Sequence, residues 1–295
     1  MKRLGILLLR LAHALLPAAA LGSLGELLGR LLYFLAASRR HIAGTNLRLC
    51  FPEWSEAERE RVLKAHFRLL GRAFMQDTVS WWGSRRQVEQ LTRLEGLEHF
   101  TAHAGKPVIW LAPHFVGLNV GGVRVSVDFA PCVSLYARIK NPHLDRVMLH
   151  ARTRFSHGGR HSEMYSRRDG IKPVIRAIRK GLPFYYLPDM DFGPKDAIFD
   201  TFFGVPAATV TGLSRLAKAT GAVVVPCITR REGSGWATRF YPAWEDFPTQ
   251  DVEADTRRMN AFIEERVREM PEQYFWLHRR FKTQPEGAKG ALYDD

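Results

Sequence analysis

The chain has 295 residues, 46% of them hydrophobic and 25% charged, which suffices for a full core and fits a single large α/β domain. Its formal net charge of +13 points to anionic partners, but no long Lys/Arg run, helix-turn-helix, zinc finger or RNA-binding signature is present, which argues against nucleic acid. The three cysteines, Cys50, Cys132 and Cys227, lie far apart and form no C-x-x-C pair; a disulfide framework and a cysteine zinc site are disfavoured, and a reducing compartment fits.

Residues 1–37 are dominated by Leu and Ala and interrupted by Arg10, His13, Pro17, Glu26 and Arg30. Lys2, Arg3 and the Ala18-Ala19-Ala20 run imitate a secretory signal. A buried core helix is a second reading. Hydrophobicity runs on, however, through Leu27, Leu28, Leu31, Leu32, Tyr33, Phe34 and Leu35, past any plausible cleavage site. Arg39, Arg40 and His41 then follow as a basic flank. The favoured reading is an uncleaved membrane anchor or pair of interfacial helices.

Ser55 and Glu58 form a capping-box pattern that starts a helix over about 55–82, with Val62, Leu63, Phe67, Leu70, Phe74 and Val79 at helical spacing. Trp81 and Trp82, near its end, are expected in the core. Short apolar runs at 107–112, 131–136, 183–187 and 222–228 read as strands. Between them, helices are predicted over 171–180, stopped by Gly181, and over 211–220, stopped by Gly221. An amphipathic helix over 251–270 carries Met259, Phe262, Ile263 and Val267 on one side and ends at Pro271. The predicted fold class is α/β: a mixed sheet flanked by helices in one domain over 38–287, after the N-terminal segment and before a loose tail at 288–295.

Such sheets place ligands beyond the carboxyl ends of their strands. His114, in Pro113-His-Phe115, follows the first predicted strand, and Asp189 and Asp191 follow the third. A histidine there can act as general base on a hydroxyl that attacks an acyl carbonyl, although a lone histidine beside Phe115 is more often structural. Asp189 and Asp191 also invite a metal reading, but no further matched ligand set accompanies them.

Several spaced strings carry a resemblance. They are Arg39-Arg-His-Ile-Ala-Gly-Thr-Asn-Leu47, Cys50-Phe-Pro-Glu-Trp-Ser55, Pro113-His-Phe115, Lys140-Asn-Pro142 with Leu144-Asp145, Leu187-Pro-Asp-Met-Asp-Phe-Gly193, Phe202-Phe-Gly204 with Ala208-Thr209, and Pro271-Glu-Gln-Tyr-Phe-Trp-Leu-His-Arg-Arg-Phe-Lys-Thr283 with Pro285-Glu-Gly287. Over most of its length the chain resembles the bacterial lipid A late acyltransferases, within the lysophospholipid acyltransferase superfamily. The resemblance implies an acyltransferase fold at the cytoplasmic face of the inner membrane. It implies transfer of a fatty acyl chain from acyl carrier protein to a hydroxyl of a lipid A precursor, with His114 as base and no cofactor. Both partners are anionic, in keeping with the charge. Arg138, Arg152 and Arg154 are candidate substrate contacts, one of them a possible oxyanion donor. Asp189 and Asp191 are given a structural or substrate-positioning role, and His278-Arg279-Arg280 a role in folding or docking.

The family pattern His-x-x-x-x-Asp/Glu reads Asn119 at its last position here. An amide can accept the imidazole N–H but brings no charge, so Asn119 as orienter predicts slow transfer that an Asn119→Asp change would accelerate. Two alternatives follow: another acceptor, such as a glycolipid or amino-acid lipid, or a weakly active or inactive paralogue that binds lipid or carrier protein.

Overall fold

A computed structural model of the chain describes residues 2–129, 131–157, 159–288 and 292–293. The chain begins with helices α1 (Lys2–Leu15), α2 (Ala18–Leu35), α3 (Ala37–Cys50), α4 (Glu56–Trp82) and α5 (Arg85–Leu91). It continues through β1 (Thr92–Glu95), α6 (Glu98–Thr101), β2 (Val108–Leu111), α7 (Leu118–Phe129), β3 (Val133–Tyr136) and α8 (Pro142–Thr153). Next come β4 (Ser156–His157), β5 (Arg160–His161), β6 (Glu163–Ser166), α9 (Lys172–Arg179) and β7 (Phe184–Tyr186). The last elements are β8 (Ala197–Phe202), β9 (Val205–Val210), α10 (Gly212–Thr220), β10 (Val223–Glu232), β11 (Gly235–Phe240) and α11 (Val252–Glu269).

The main sheet has seven strands in the order β1-β11-β10-β2-β7-β3-β6. Every neighbouring pair is parallel except β10 with β11. The four apolar runs seen in the sequence are the central strands β2, β3, β7 and β10. Strand β2 is buried throughout and feeds two cores. Ile109 and Leu111 pack with Phe184, Val224, Ile178 and Ile263 on one face, while Val108, Trp110 and Ala112 pack with Tyr185, Val225 and Cys227 on the other. This is the period-2 alternation of a strand covered on both sides.

Helix α4 starts where its capping box places it: Ser55 Oγ accepts from the Glu58 N–H at 3.2 Å, and Glu58 Oε2 accepts from the Ser55 N–H at 2.8 Å. Trp81 is buried and Trp82 half-buried. α10 ends at Gly221, whose φ of 66° is left-handed.

Helix α2 is not detached from the body at residue 37. It lies along α4, and the approach is so close that only glycines fit: a Cβ at Gly71 would stand 2.0 Å from the Gly25 carbonyl oxygen, and one at Gly29 2.2 Å from that of Phe67. Arg72 donates to Glu26 at 2.7 Å across the same seam. Gln76 of α4 donates to the Ala18 carbonyl at 2.9 Å and accepts from the Trp236 indole at 2.9 Å, joining α2, α4 and β11. The opposite faces of α1 and α2 remain exposed, with Leu7, Leu11, Leu15, Leu27, Leu31, Phe34 and Leu35 all outward. By length and composition α2 could cross a membrane.

The tail expected to be loose is tied down at Tyr293. That side chain is buried in the main core, accepts from the Phe281 N–H at 3.1 Å and donates to Asn46 Oδ1. Residues 289–291 and 294–295 lie outside the described residues.

Candidate active site

Strand β2 ends at Leu111, and the backbone turns through Pro113 and His114 before α7 begins. The turn is braced from the C-terminal segment: the Phe275 N–H donates to the His114 carbonyl at 2.8 Å, and the Val116 N–H to the Gln273 carbonyl at 2.8 Å. Gly121 lets α7 settle on β10, since a Cβ there would stand 1.7 Å from Thr229 Oγ1. The histidine is thereby fixed at the carboxyl edge of the sheet.

Its carboxylate partner is Asp189, from the segment after β7. Asp189 Oδ1 lies 2.7 Å from His114 Nδ1, and Oδ2 accepts the His114 backbone N–H at 2.9 Å. Burial alone would raise the Asp189 carboxyl, which is 1% exposed. The charge of His114 and hydrogen bonds from its ring and backbone outweigh that and hold the group below the usual carboxylate range. An ionised Asp189 makes Nδ1 the donor and leaves Nε2 as the nitrogen able to take a proton.

Asn119 does not orient the imidazole as expected. From the first turn of α7 its Oδ1 accepts from Arg152 Nη2 at 2.8 Å, and its Nδ2 donates to Asp77 Oδ2 at 3.3 Å. The five-residue spacing places it near His114, but α7 turns its side chain toward α4 and α8. The electrostatic deficit inferred from the amide is therefore absent from the imidazole, which has a buried carboxylate of its own.

Of the three arginines, Arg152 on α8 lines the same cleft as His114. Arg154 instead caps the end of α4, donating to the carbonyls of Ser80 at 3.1 Å and Gly83 at 2.6 Å. Arg138 is exposed just beyond β3 and is not among the residues lining the cleft. Asp191, given a structural or substrate-positioning role, is buried and saturated by the protein: it accepts from the Thr283 N–H at 2.8 Å, the Thr283 hydroxyl at 2.9 Å and the Gly193 N–H at 2.8 Å. The Asp191 N–H donates to His278 Nε2 at 2.8 Å, so His278 is held neutral; burial, aided by Arg280, lowers it to about 4. Arg280 is buried and donates to the Ala208 carbonyl at 2.8 Å. The 278–283 segment thus anchors the loop that carries Asp189.

His114 stands between two clefts. One, of about 420 Å³, is walled by α4, α7 and α8 and includes Asp77, Asn119, Asp145 and Arg152 beside Leu70, Phe74 and Met148. The other, of about 430 Å³, is lined mainly by apolar groups, among them Phe184, Leu187, Val210 and Leu216. The arrangement can deprotonate a hydroxyl from one side and meet an acyl group from the other.

Asp77 was missed from the sequence. It falls on the apolar stripe of α4, seven residues after Leu70 and three after Phe74, where a carboxylate is out of pattern. That misplaced acid was the available signal.

A family model described as bacterial lipid A biosynthesis acyltransferase matches residues 2–283. The chain is 34% identical to the lipid A biosynthesis lauroyltransferase of Escherichia coli K12, covering 92% of this chain and 89% of that protein. It is 32% identical to the palmitoleoyltransferase of the same organism (94% and 90% covered) and 33% identical to its myristoyltransferase (90% and 81%). Among solved structures, a 1-acyl-sn-glycerophosphate acyltransferase from Thermotoga maritima aligns at 14% identity and a TM-score of 0.37 over 83% of this chain and 96% of that one, too loosely to bear on the assignment. The family match over nearly the whole chain, together with these relatives, shows that the chain belongs to the bacterial lipid A biosynthesis acyltransferases and is an acyltransferase.

Proposed function

We propose that the protein moves a fatty acyl chain from acyl carrier protein to a hydroxyl of a lipid A precursor, with His114 as general base. The observation that carries this reading is the His114–Asp189 pair between two clefts. Nε2 takes the acceptor's hydroxyl proton as its oxygen attacks the thioester carbonyl. The tetrahedral intermediate collapses with loss of the carrier's thiolate, and the imidazolium returns the proton to that sulfur, leaving an ester and a free thiol. Asp189 stabilises the transient imidazolium and fixes the tautomer. Arg152 lies in the same cleft as a cation suited to an anionic acceptor or a developing oxyanion.

The acyl chain occupies the apolar cleft along Phe184, Leu187, Val210 and Leu216, and the acceptor occupies the polar cleft along α4, α7 and α8. Helix α1 packs on α4 and α8, two of the walls of the polar cleft, and both α1 and α2 carry exposed leucine faces. Those faces lie in the surface of the inner membrane, on its cytoplasmic side, and deliver a lipid acceptor to the cleft. The net charge of +13 favours both an acidic carrier protein and anionic headgroups.

The reading of a weakly active paralogue rested on Asn119 as the orienter of His114, and it loses that support because the imidazole hydrogen-bonds Asp189 rather than Asn119. The test is transfer of a radiolabelled acyl group from acyl carrier protein to purified lipid A precursor in detergent micelles. Label in the lipid is expected. Label passing only to another glycolipid or an amino-acid lipid would replace the acceptor, and none passing to any lipid would overturn the function.

A further inference from the structure

We propose that Asp77 is a positioning residue of the acyl-transfer site: through the Asn119 amide it supplies the negative charge that holds the Arg152 guanidinium at the wall of the cleft. The inference rests on the acyltransferase reading of that cleft. Three elements meet there. Asp77 comes from α4, Asn119 from the start of α7 and Arg152 from the end of α8. Asp77 Oδ2 accepts from Asn119 Nδ2 at 3.3 Å, and Asn119 Oδ1 accepts from Arg152 Nη2 at 2.8 Å. Asp77 is buried, and its Oδ1 has no hydrogen-bond partner among the described residues. A buried, half-satisfied carboxylate destabilises a fold, and such groups are retained where they do something else.

The middle position explains the residue type at 119. A group standing between a cation and an anion must accept on one side and donate on the other, which an amide does and a carboxylate does not. An aspartate at 119 would pair with Arg152 but set two carboxylates against each other about where the 3.3 Å contact now stands. The amide is a connector, and the charge lies one residue further from the arginine. An Asn119→Asp change is therefore no repair: it harms the site unless Asp77 is neutralised at the same time.

The experiment is a reciprocal exchange, with acyl transfer measured for wild type, Asp77→Asn, Asn119→Asp and the double variant. Each single change should lower kcat/KM by about tenfold or more, a charge-assisted hydrogen bond being lost in one and like charges opposed in the other. The double variant again has one carboxylate, now paired directly with Arg152, and should recover to within about threefold of wild type, a recovery that a merely structural role for Asp77 would not produce. Folding is followed separately. Burial pushes the Asp77 carboxyl up to about 7 against the opposing pull of Asn119 and Arg152. Its ionised form is thus held at a stability cost at pH 8, and Asp77→Asn should melt no lower than wild type there. An active wild type matched by Asp77→Asn, or a folded double variant no better than the worse single change, overturns the positioning role alone. A wild type as inactive as His114→Ala overturns the acyl-transfer reading and this role with it.

Discussion

Replacing Asp189 by Asn removes a buried charge from behind His114, the proposed base, while keeping the shape of the side chain. Asp189 Oδ1 is 2.7 Å from His114 Nδ1, which puts the centres of the two charged groups about 4 Å apart. At an effective dielectric of about 20 their attraction is ~4 kcal/mol, and nearly all of it arises only when the imidazolium forms. Lost from the transition state, that is roughly 10³ in rate. The amide can also turn its NH2 toward Nδ1, which moves the ring proton to Nε2 and disables the base; the analogous change in a serine protease triad costs about 10⁴. Asp189→Asn is therefore expected to lower kcat by roughly 10³–10⁴ with little change in KM, measured as single-turnover acyl transfer with the acceptor saturating. A loss smaller than about tenfold in a folded protein would refute the assignment of Asp189 as partner of the base.

Other consequences follow from the packing and the charges. Gly71→Leu should detach or distort α2, because its Cβ alone would meet the Gly25 carbonyl oxygen at 2.0 Å; a loss of about 1–3 kcal/mol or more is expected in urea unfolding. Replacing Leu7, Leu11 and Leu31 on the outward faces of α1 and α2 by Gln should weaken sedimentation with anionic phospholipid vesicles tenfold or more, while thermal unfolding in detergent changes little; unchanged sedimentation would remove the interfacial role of these helices. Tyr293→Phe removes the hydroxyl that links Phe281 and Asn46 and should cost about 1–3 kcal/mol, an outcome that a disordered tail would not give. His66 and His278 are each lowered to about 4, chiefly by burial. For a histidine whose folded pKa lies below its unfolded value, the neutral form is favoured in the fold. The stability it contributes is whole above about pH 6.5 and is lost as pH falls toward 4, on the order of 3 kcal/mol for each group. Chemical denaturation at pH 7 and pH 4.5 measures that slope, and Asp77, which stabilises in the opposite direction, reduces it.

What could be read in the sequence was whatever local spacing determines. The Ser55–Glu58 cap, the α4 stripe, the four apolar strands and the glycine stops of α9 and α10 all depend on residues within a few positions of one another. The location of His114 beyond β2 followed from the order of strand and helix. Its partner did not. Asp189 is 75 residues away and reaches the imidazole only because β7 lies beside β2 in the sheet, an adjacency that spacing alone does not encode. The motif spacing pointed to Asn119, and the start of α7 at Leu118 turns that side chain elsewhere. Arg152 and Arg154 looked equivalent as neighbours in sequence, but a helix directs residues two apart to different sides, one to the cleft and the other to the α4 carbonyls. Strands β1, β6 and β11 carry short or polar-laced patterns and take their strand form from partners already in the sheet.

The proposed reaction depends on His114 taking the acceptor's proton. It is tested most directly by acyl transfer with His114→Ala beside wild type, with binding of the lipid acceptor followed in parallel. Transfer should fall to the background rate while acceptor binding persists. Transfer by the folded variant at a rate near that of wild type would show that the base lies elsewhere.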